Sequence, residues 1–251
     1  MKRHIRILSV FLVAMVALIL SGAAPKAWAA EIPFSKAKII IEFNSTGNDV
    51  GVQVLLDGEP WKRVKIESPS GNQLLDIISS GSLRKQGLTE LFFESSEPSL
   101  DEVPLDVFLA RFPEGKYEFE GITVEGDELA GKAMLTHVIP AGPVILSPQE
   151  GDQVDPNNLV ISWEPVTEKI AGSGKLKIVS YQVIVERTDN DQLGAALRTF
   201  DIRLPATSDP IQSVTVPPEF LEPRTQYKFE VLAIEAGGNQ TITEGGPFET
   251  Q

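Results

Sequence analysis

Leu221-Glu222-Pro223-Arg224-Thr225-Gln226-Tyr227-Lys228-Phe229-Glu230-Val231-Leu232-Ala233 sets Leu221, Pro223, Thr225, Tyr227, Phe229, Val231 and Ala233 at strict intervals of two. In an extended chain alternate side chains leave opposite faces, so this spacing puts all seven on one side of a strand. Two earlier stretches repeat the pattern. Leu159, Ile161 and Trp163 alternate, and Tyr181-Gln182-Val183-Ile184-Val185 supplies a further apolar row. Rows of this kind close a core between two sheets, with Trp163 as the largest anchor.

The same grammar extends back to Glu31. Short alternating runs are cut by Gly, Pro, Asn and Asp clusters, which predicts an all-β chain. Lys38 to Phe43 is a strand ended by Asn44 to Asp49. Val50 to Leu56 is a second, closed by a turn at Asp57-Gly58, after which Trp61 to Glu67 pairs back. Ser68 to Asn72 turns the chain again. Pro104 to Phe112 departs from the rule, because Leu105, Phe108, Leu109 and Phe112 recur at intervals of three and four. This is the apolar face of one short helix, started near Pro104 and stopped before Pro113, that plugs an end of the sandwich. Lys116 to Glu120 then alternates, and Ile122 to Val138 forms a hairpin around Gly126-Asp127. Pro140-Ala141-Gly142-Pro143 is a stiff joint. The halves rhyme: Tyr117-x-Phe119 and Tyr227-x-Phe229 each follow a proline-containing turn.

The tryptophan in Ser162-Trp163-Glu164-Pro165, the Tyr181 strand and the Leu221 to Ala233 run together resemble the fibronectin type III family, over about residues 143–251. The resemblance implies an immunoglobulin-like sandwich in which the Tyr227 hydroxyl bonds back to upstream backbone, the tyrosine corner. The chain departs from the family in a long connection, Glu168 to Lys177, and in closing soon after Pro247-Phe248, which predicts a short final strand. No Arg-Gly-Asp occurs. The expected organisation is a signal peptide over 1–29, a β-sandwich of unrecognised family with one short helix over 30–140, and a fibronectin type III-like domain over 141–251.

The signal peptide is read from Lys2, Arg3, His4 and Arg6, a 14-residue apolar run from Ile7 to Leu20, and Ala27-Trp28-Ala29. A membrane span needs roughly 20 apolar residues, so the expectation is cleavage after Ala29 and no remaining span, placing the protein in the periplasm or outside the cell. Without cysteine the mature chain rests on its apolar core. Loss of Lys2, Arg3, Arg6 and Lys26 takes the formal charge from −13 to about −17, which repels phosphate backbones and excludes nucleic acid as a partner.

Chemistry is sparse. His137 is the sole histidine after the signal, at a strand end among apolar neighbours, where a structural role is expected. A zinc centre of several His or Cys ligands has no supply. Gly172-Ser173-Gly174-Lys175 fails as a phosphate loop, because Leu176 stands where a Ser or Thr is needed and Lys169 where the first glycine belongs. Oxygen-rich turns at Asn48 and Asp49, Asp152 and Asp155, and Asp189 and Asp191 could hold calcium, although none has the twelve-residue calcium-loop spacing. Turns attract Asp and Asn for backbone reasons alone. Asn44-Ser45-Thr46 and Asn239-Gln240-Thr241 match the N-glycan acceptor pattern. No catalytic residue or cofactor is assigned. The reading is a non-catalytic binding module for a protein or carbohydrate partner. The alternatives are a polysaccharide-acting enzyme or its accessory domain, recognisable by exposed aromatics beside two carboxylates, and a purely structural surface component.

Overall fold

The computed structural model describes residues 31–188 and 199–251. The segment 1–29, expected to be a signal peptide, Asp189 and Asp191 lie outside the described residues. The strands in chain order are β1 (Ile32–Pro33), β2 (Lys36–Asn44), β3 (Asp49–Glu67), β4 (Gln73–Ile78), β5 (Leu88–Glu94), β6 (Gly115–Thr123), β7 (Glu128–Leu135) and β8 (Ile139–Pro140). There follow β9 (Ile145–Ser147), β10 (Gln153–Val154), β11 (Val160–Trp163), β12 (Lys169–Ala171), β13 (Ile178–Arg187), β14 (Thr199–Pro205), β15 (Gln212–Thr215), β16 (Gln226–Glu235) and β17 (Gln240–Thr250). Two short helices interrupt them, α1 (Gly81–Gln86) and α2 (Leu105–Arg111).

The alternating rows close the core read from them. Leu159, Ile161, Trp163, Tyr181, Val183, Val185, Leu221, Tyr227, Phe229, Val231 and Ala233 form one buried cluster. It lies between the β17-β16-β13-β14 ladder and the three-stranded β15-β11-β9 sheet. Trp163 meets Tyr181 edge-on, with ring centroids 5.3 Å apart. Tyr227 makes the corner: its hydroxyl accepts from the Glu222 backbone N–H at 2.8 Å. Tyr117 makes the equivalent contact in the first half, donating to the Pro113 carbonyl at 3.1 Å. Pro223 is exposed, because it belongs to the turn before β16. The final strand, predicted short, runs eleven residues, its pairing with β16 interrupted by a bulge near Gly245.

A second, separate core holds Ile39, Ile41, Val52, Val54, Trp61, Ile66, Tyr117 and Phe119. Helix α2 contributes Phe108 to it, with Leu105, Leu109 and Phe112 packed alongside, as its spacing predicts. Helix α1 was not anticipated. It has no apolar period and buries no residue, so its sequence carries no periodic signal.

The Asp57-Gly58 turn is wrong. β3 runs straight through it for nineteen residues, pairing with β2 and β5 in its first part and with β4 and β6 in its second. The pairing slips between Asp57 and Trp61, so one strand passes from one layer to the other. Gly58 serves close approach instead of a turn: a Cβ there would stand 2.9 Å from Phe34 Cδ1.

The two cores share one sheet. Its order is β1-β7-β6-β3-β2-β17-β16-β13-β14, and the junction is a parallel pairing of β2 with β17, Gln240 opposite Glu42, Thr241 opposite Phe43 and Ile242 opposite Asn44. The proline-rich joint is pinned as well, since Ile139 and Pro140 are buried and pair with β12.

Candidate functional site

The junction buries polar side chains, Glu42, Glu235, Asn239 and Thr241 among them. Asn239, at the β16–β17 turn, is 1% exposed. Its Oδ1 accepts from Ile41 N–H at 2.9 Å, and its Nδ2 donates to the carbonyls of Thr136 at 2.9 Å and Val138 at 3.0 Å. One amide therefore ties β2, the segment between β7 and β8 and the β16–β17 hairpin together. Thr241 Oγ1 donates to Pro140 O at 2.7 Å, and Glu244 N–H donates to Thr46 Oγ1 at 3.0 Å. These bonds engage Asn239 fully, so the Asn239-Gln240-Thr241 triplet is no glycan acceptor in the folded chain. The Asn44 amide donates to Glu244 Oε1 at 3.1 Å.

Glu42 stands on the face of β2 opposite Ile41 and Phe43. Gln240 covers it from across the junction, its Nε2 donating to Glu42 Oε2. Oxygens of Glu42, Glu94 and Glu97 lie within 4.8 Å of one another. Glu97 folds over Gly51, where a Cβ would approach its Cγ at 2.8 Å, and Gln53 Nε2 donates to Glu94 Oε1 at 2.8 Å. None of the three has an ion pair among the described residues. Burial pushes the Glu42 carboxyl up to about 7; the Gln240 hydrogen bond opposes this, while the charges of Glu94 and Glu97 add to it. Glu97 is raised by burial and then by Glu94 and Asp49, and Asp49 by burial and then by Glu244. An acidic cluster with two exposed members does not by itself make a metal centre.

Beside the junction opens a cleft of about 460 Å³, walled by β2 and the end of β7 on one side and by β13, β14 and the β16–β17 turn on the other. Lys38, Ile40 and Met134 line it from the first sandwich, and Val179, Arg203 and Glu235 from the second. The turn needs glycine. Gly238 has φ +105°, and a Cβ on it would stand 3.0 Å from Ile40 Cγ2. Glu235 is buried, its oxygens accepting from Gly237 N–H at 2.7 Å and Asn239 N–H at 3.2 Å.

The structure does not gather the residues predicted for calcium. Asn48 occupies the exposed β2–β3 turn at φ 54°, its carbonyl accepting from Leu100 N–H at 2.8 Å. Asp49 pairs with Asn44 in the ladder. Asp152 accepts from Gln149 N–H at 2.8 Å. Asp155 accepts from Asn157 N–H at 2.9 Å and from Asn158 Nδ2 at 2.6 Å, bonds that hold its carboxyl below the usual carboxylate range. Asp152 and Asp155 thus each close their own turn, a task that draws Asp to turns for backbone reasons. His137 also has a local role: its Nε2 meets Phe112 O at 2.8 Å, and its N–H donates to Glu114 Oε1 at 2.6 Å. Gly172 is in the left-handed region, and a Cβ on it would stand 2.4 Å from His137 O, so the glycine-rich loop is packed under this strand end. Sequence reasoning missed Glu42, Glu94, Glu97, Lys38 and Arg203.

No helix among the described residues is long and apolar enough to cross a membrane. No curated protein matches the sequence. Among solved structures the chain is similar to the FN1-FN3 domains of chicken CNTN1, at 11% identity and a TM-score of 0.32, covering 85% of this chain and 66% of that one. It is similar to the 47-kilodalton lipoprotein Tp47 of Treponema pallidum, at 12% identity and 0.35, covering 86% and 51%. It is also similar to a calcium-stabilised adhesin of an Antarctic bacterium, at 11% identity and 0.27, covering 86% and 50%. The chain thus spans half to two thirds of these structures. Residues 147–250 match the family model of the Fibronectin type III domain. With its Trp163 core, its Tyr227 corner and this match, the second sandwich is a fibronectin type III domain.

Proposed function

We propose that the chain is an exported, non-catalytic binding module directed at a protein, with sandwiches over 30–140 and 141–251 acting as one stiff body. The fibronectin type III match supports an interaction role. The observation that carries the choice of protein over carbohydrate is aromatic burial. Trp61, Trp163, Tyr117, Tyr181 and Tyr227 are all at most 2% exposed, so the described residues offer no tryptophan or tyrosine on which a sugar ring could stack. The large apolar side chains that do reach solvent include Leu74 and Ile78 on β4, Leu83 on α1, Phe92 on β5 and Met134 on β7. The polysaccharide-enzyme reading calls for exposed aromatics beside two carboxylates in one groove, and the aromatic that reaches solvent on β5, Phe92, is a phenylalanine.

Affinity capture from the secreted and envelope fractions of the source organism tests this, followed by titration with the purified captured partner. Saturable binding to a protein is expected, with no sugar released from polysaccharides. Binding confined to glycans, or hydrolysis by the purified mature chain, would overturn it.

A further inference from the structure

The cleft beside the junction runs against the net charge of the chain. The chain carries −13, yet the charged groups lining this concavity are two cations, Lys38 and Arg203, and one acid. That acid, Glu235, is buried and its oxygens are taken up by two backbone N–H groups of the turn, which leaves one cation in excess. Arg63, Lys65, Lys116, Lys132 and Arg187 pair with carboxylates, whereas other cations among the described residues, Lys36, Lys62 and Lys228 included, do not. Neither Lys38 nor Arg203 has such a partner among the described residues. Arg203 donates its Nε to Ser180 Oγ at 2.9 Å, which orients the guanidinium and leaves its terminal nitrogens available. Lys177 stands at the rim, where its carbonyl accepts from Ala236 N–H at 3.0 Å.

The remaining walls are mixed, with Thr136 and Gln240 beside apolar side chains. Met134 is 59% exposed and Val179 37%, and Ile40 lies between them and the glycine turn. The volume falls within the roughly 300–1,000 Å³ of ligand sites, which favour the space between domains. Asn239 and the β2–β17 pairing fix the two walls relative to each other, so the cleft is formed before anything enters it. Preorganisation of this kind lowers the entropy lost on binding.

We propose that this cleft receives a carboxylate side chain from an acidic, partly apolar stretch of the protein partner, with Lys38 supplied by one sandwich and Arg203 by the other. The inference rests on the protein-binding reading above and names the chemistry of the partner. Guanidinium and ammonium groups make charge-assisted hydrogen bonds to a carboxylate, and the Met134 and Val179 side chains accept the apolar neighbours of the acidic residue.

The test is a titration of the ¹⁵N-labelled mature chain with the peptide acetyl-Ala-Leu-Glu-Val-Glu-Ala-amide, its Gln-for-Glu isostere, and sodium glucuronate, followed by amide shifts. Shifts at Gly237, Gly238 and Thr136 are expected with the acidic peptide alone. Lys38→Ala and Arg203→Ala should each weaken it roughly tenfold, as loss of a hydrogen bond to a charged group does, while melting temperatures stay unchanged because both side chains are exposed. Equal shifts with the isostere, no shift at all, or tighter binding of glucuronate would each overturn the proposal. Titration of the purified partner separates the two levels. Unchanged affinity in the Lys38→Ala/Arg203→Ala double variant removes the cleft and leaves the protein-binding reading standing. A wild-type chain that binds no protein removes both.

Discussion

Replacing Glu42 by Gln should make the protein more stable at pH 8 and leave it unchanged near pH 4.5. Glu42 is 6% exposed and faces Glu94 and Glu97 with no cation among the described residues. Its carboxyl titrates near 4.5 when free and about 7 in the fold. The folded state therefore holds the proton more tightly than the unfolded one. The stability this gives is complete below about pH 4.5 and is lost as pH rises through about 7. At about 1.36 kcal/mol per pH unit, keeping Glu42 ionised in place costs roughly 3 kcal/mol at pH 8. For a chain of this length about 1 kcal/mol moves the melting temperature by roughly 2–4 °C, so E42Q should melt roughly 6–12 °C above wild type at pH 8. The glutamine keeps an acceptor for the Gln240 amide and presents a donor to the two remaining carboxylates. Differential scanning calorimetry of both proteins from pH 4.5 to 8.5 decides the matter. Glu97, Asp49 and Glu230 are raised too, so both proteins should lose stability with rising pH, the wild type more steeply. Parallel curves for the two proteins would refute the reasoning.

Asn239→Ala removes the amide that satisfies Ile41 N–H and two carbonyls across the junction. Buried groups left unpaired cost about 1–3 kcal/mol each, so urea titration should show a loss of roughly 3 kcal/mol or more, with a larger radius of gyration by X-ray scattering if the sandwiches part. Tyr227→Phe should cost about 1–2 kcal/mol by leaving Glu222 N–H without its hydroxyl acceptor, and Tyr117→Phe about 1 kcal/mol through the Pro113 carbonyl. A Tyr117→Phe protein as stable as wild type in thermal melts would show that the first corner is not structural.

The fibronectin core was legible because its strands alternate core and outward positions over the stretches that carry Trp163 and Tyr227. Trp163 and Tyr227 stand in rows of alternate apolar residues, and that alternation survives in any arrangement of loops. The helix α2 was legible for the same reason at a different period. Gly58 misled, since Asp-Gly fits a turn as well as it fits a strand that another ring crosses closely, and only the position of Phe34 separates the two. Turn-closing carboxylates such as Asp155 resemble ion ligands in sequence because both tasks need an oxygen near backbone N–H groups.

The junction was hidden for a deeper reason, which Glu42 and Asn239 show together. In Lys38 to Phe43 the polar positions alternate with core positions, so Glu42 reads as solvent-facing, and a strand from 198 residues further on removes it from water. One trace does exist. Along β16 the positions between core residues are Lys228 and Glu230, then Leu232 and Ile234. Those last two are 4% and 1% exposed, though they belong to neither core. A strand that turns apolar on its second face partway along has something covering that face. Here the change begins two residues before Ile234, which lines the cleft just ahead of the Glu235–Asn239 turn. The residues that join the sandwiches and those that shape the binding cleft are thus one continuous set. A substitution that loosens the junction should therefore weaken the cleft as well, and Asn239→Ala is predicted to lower acidic-peptide affinity although Asn239 does not line it.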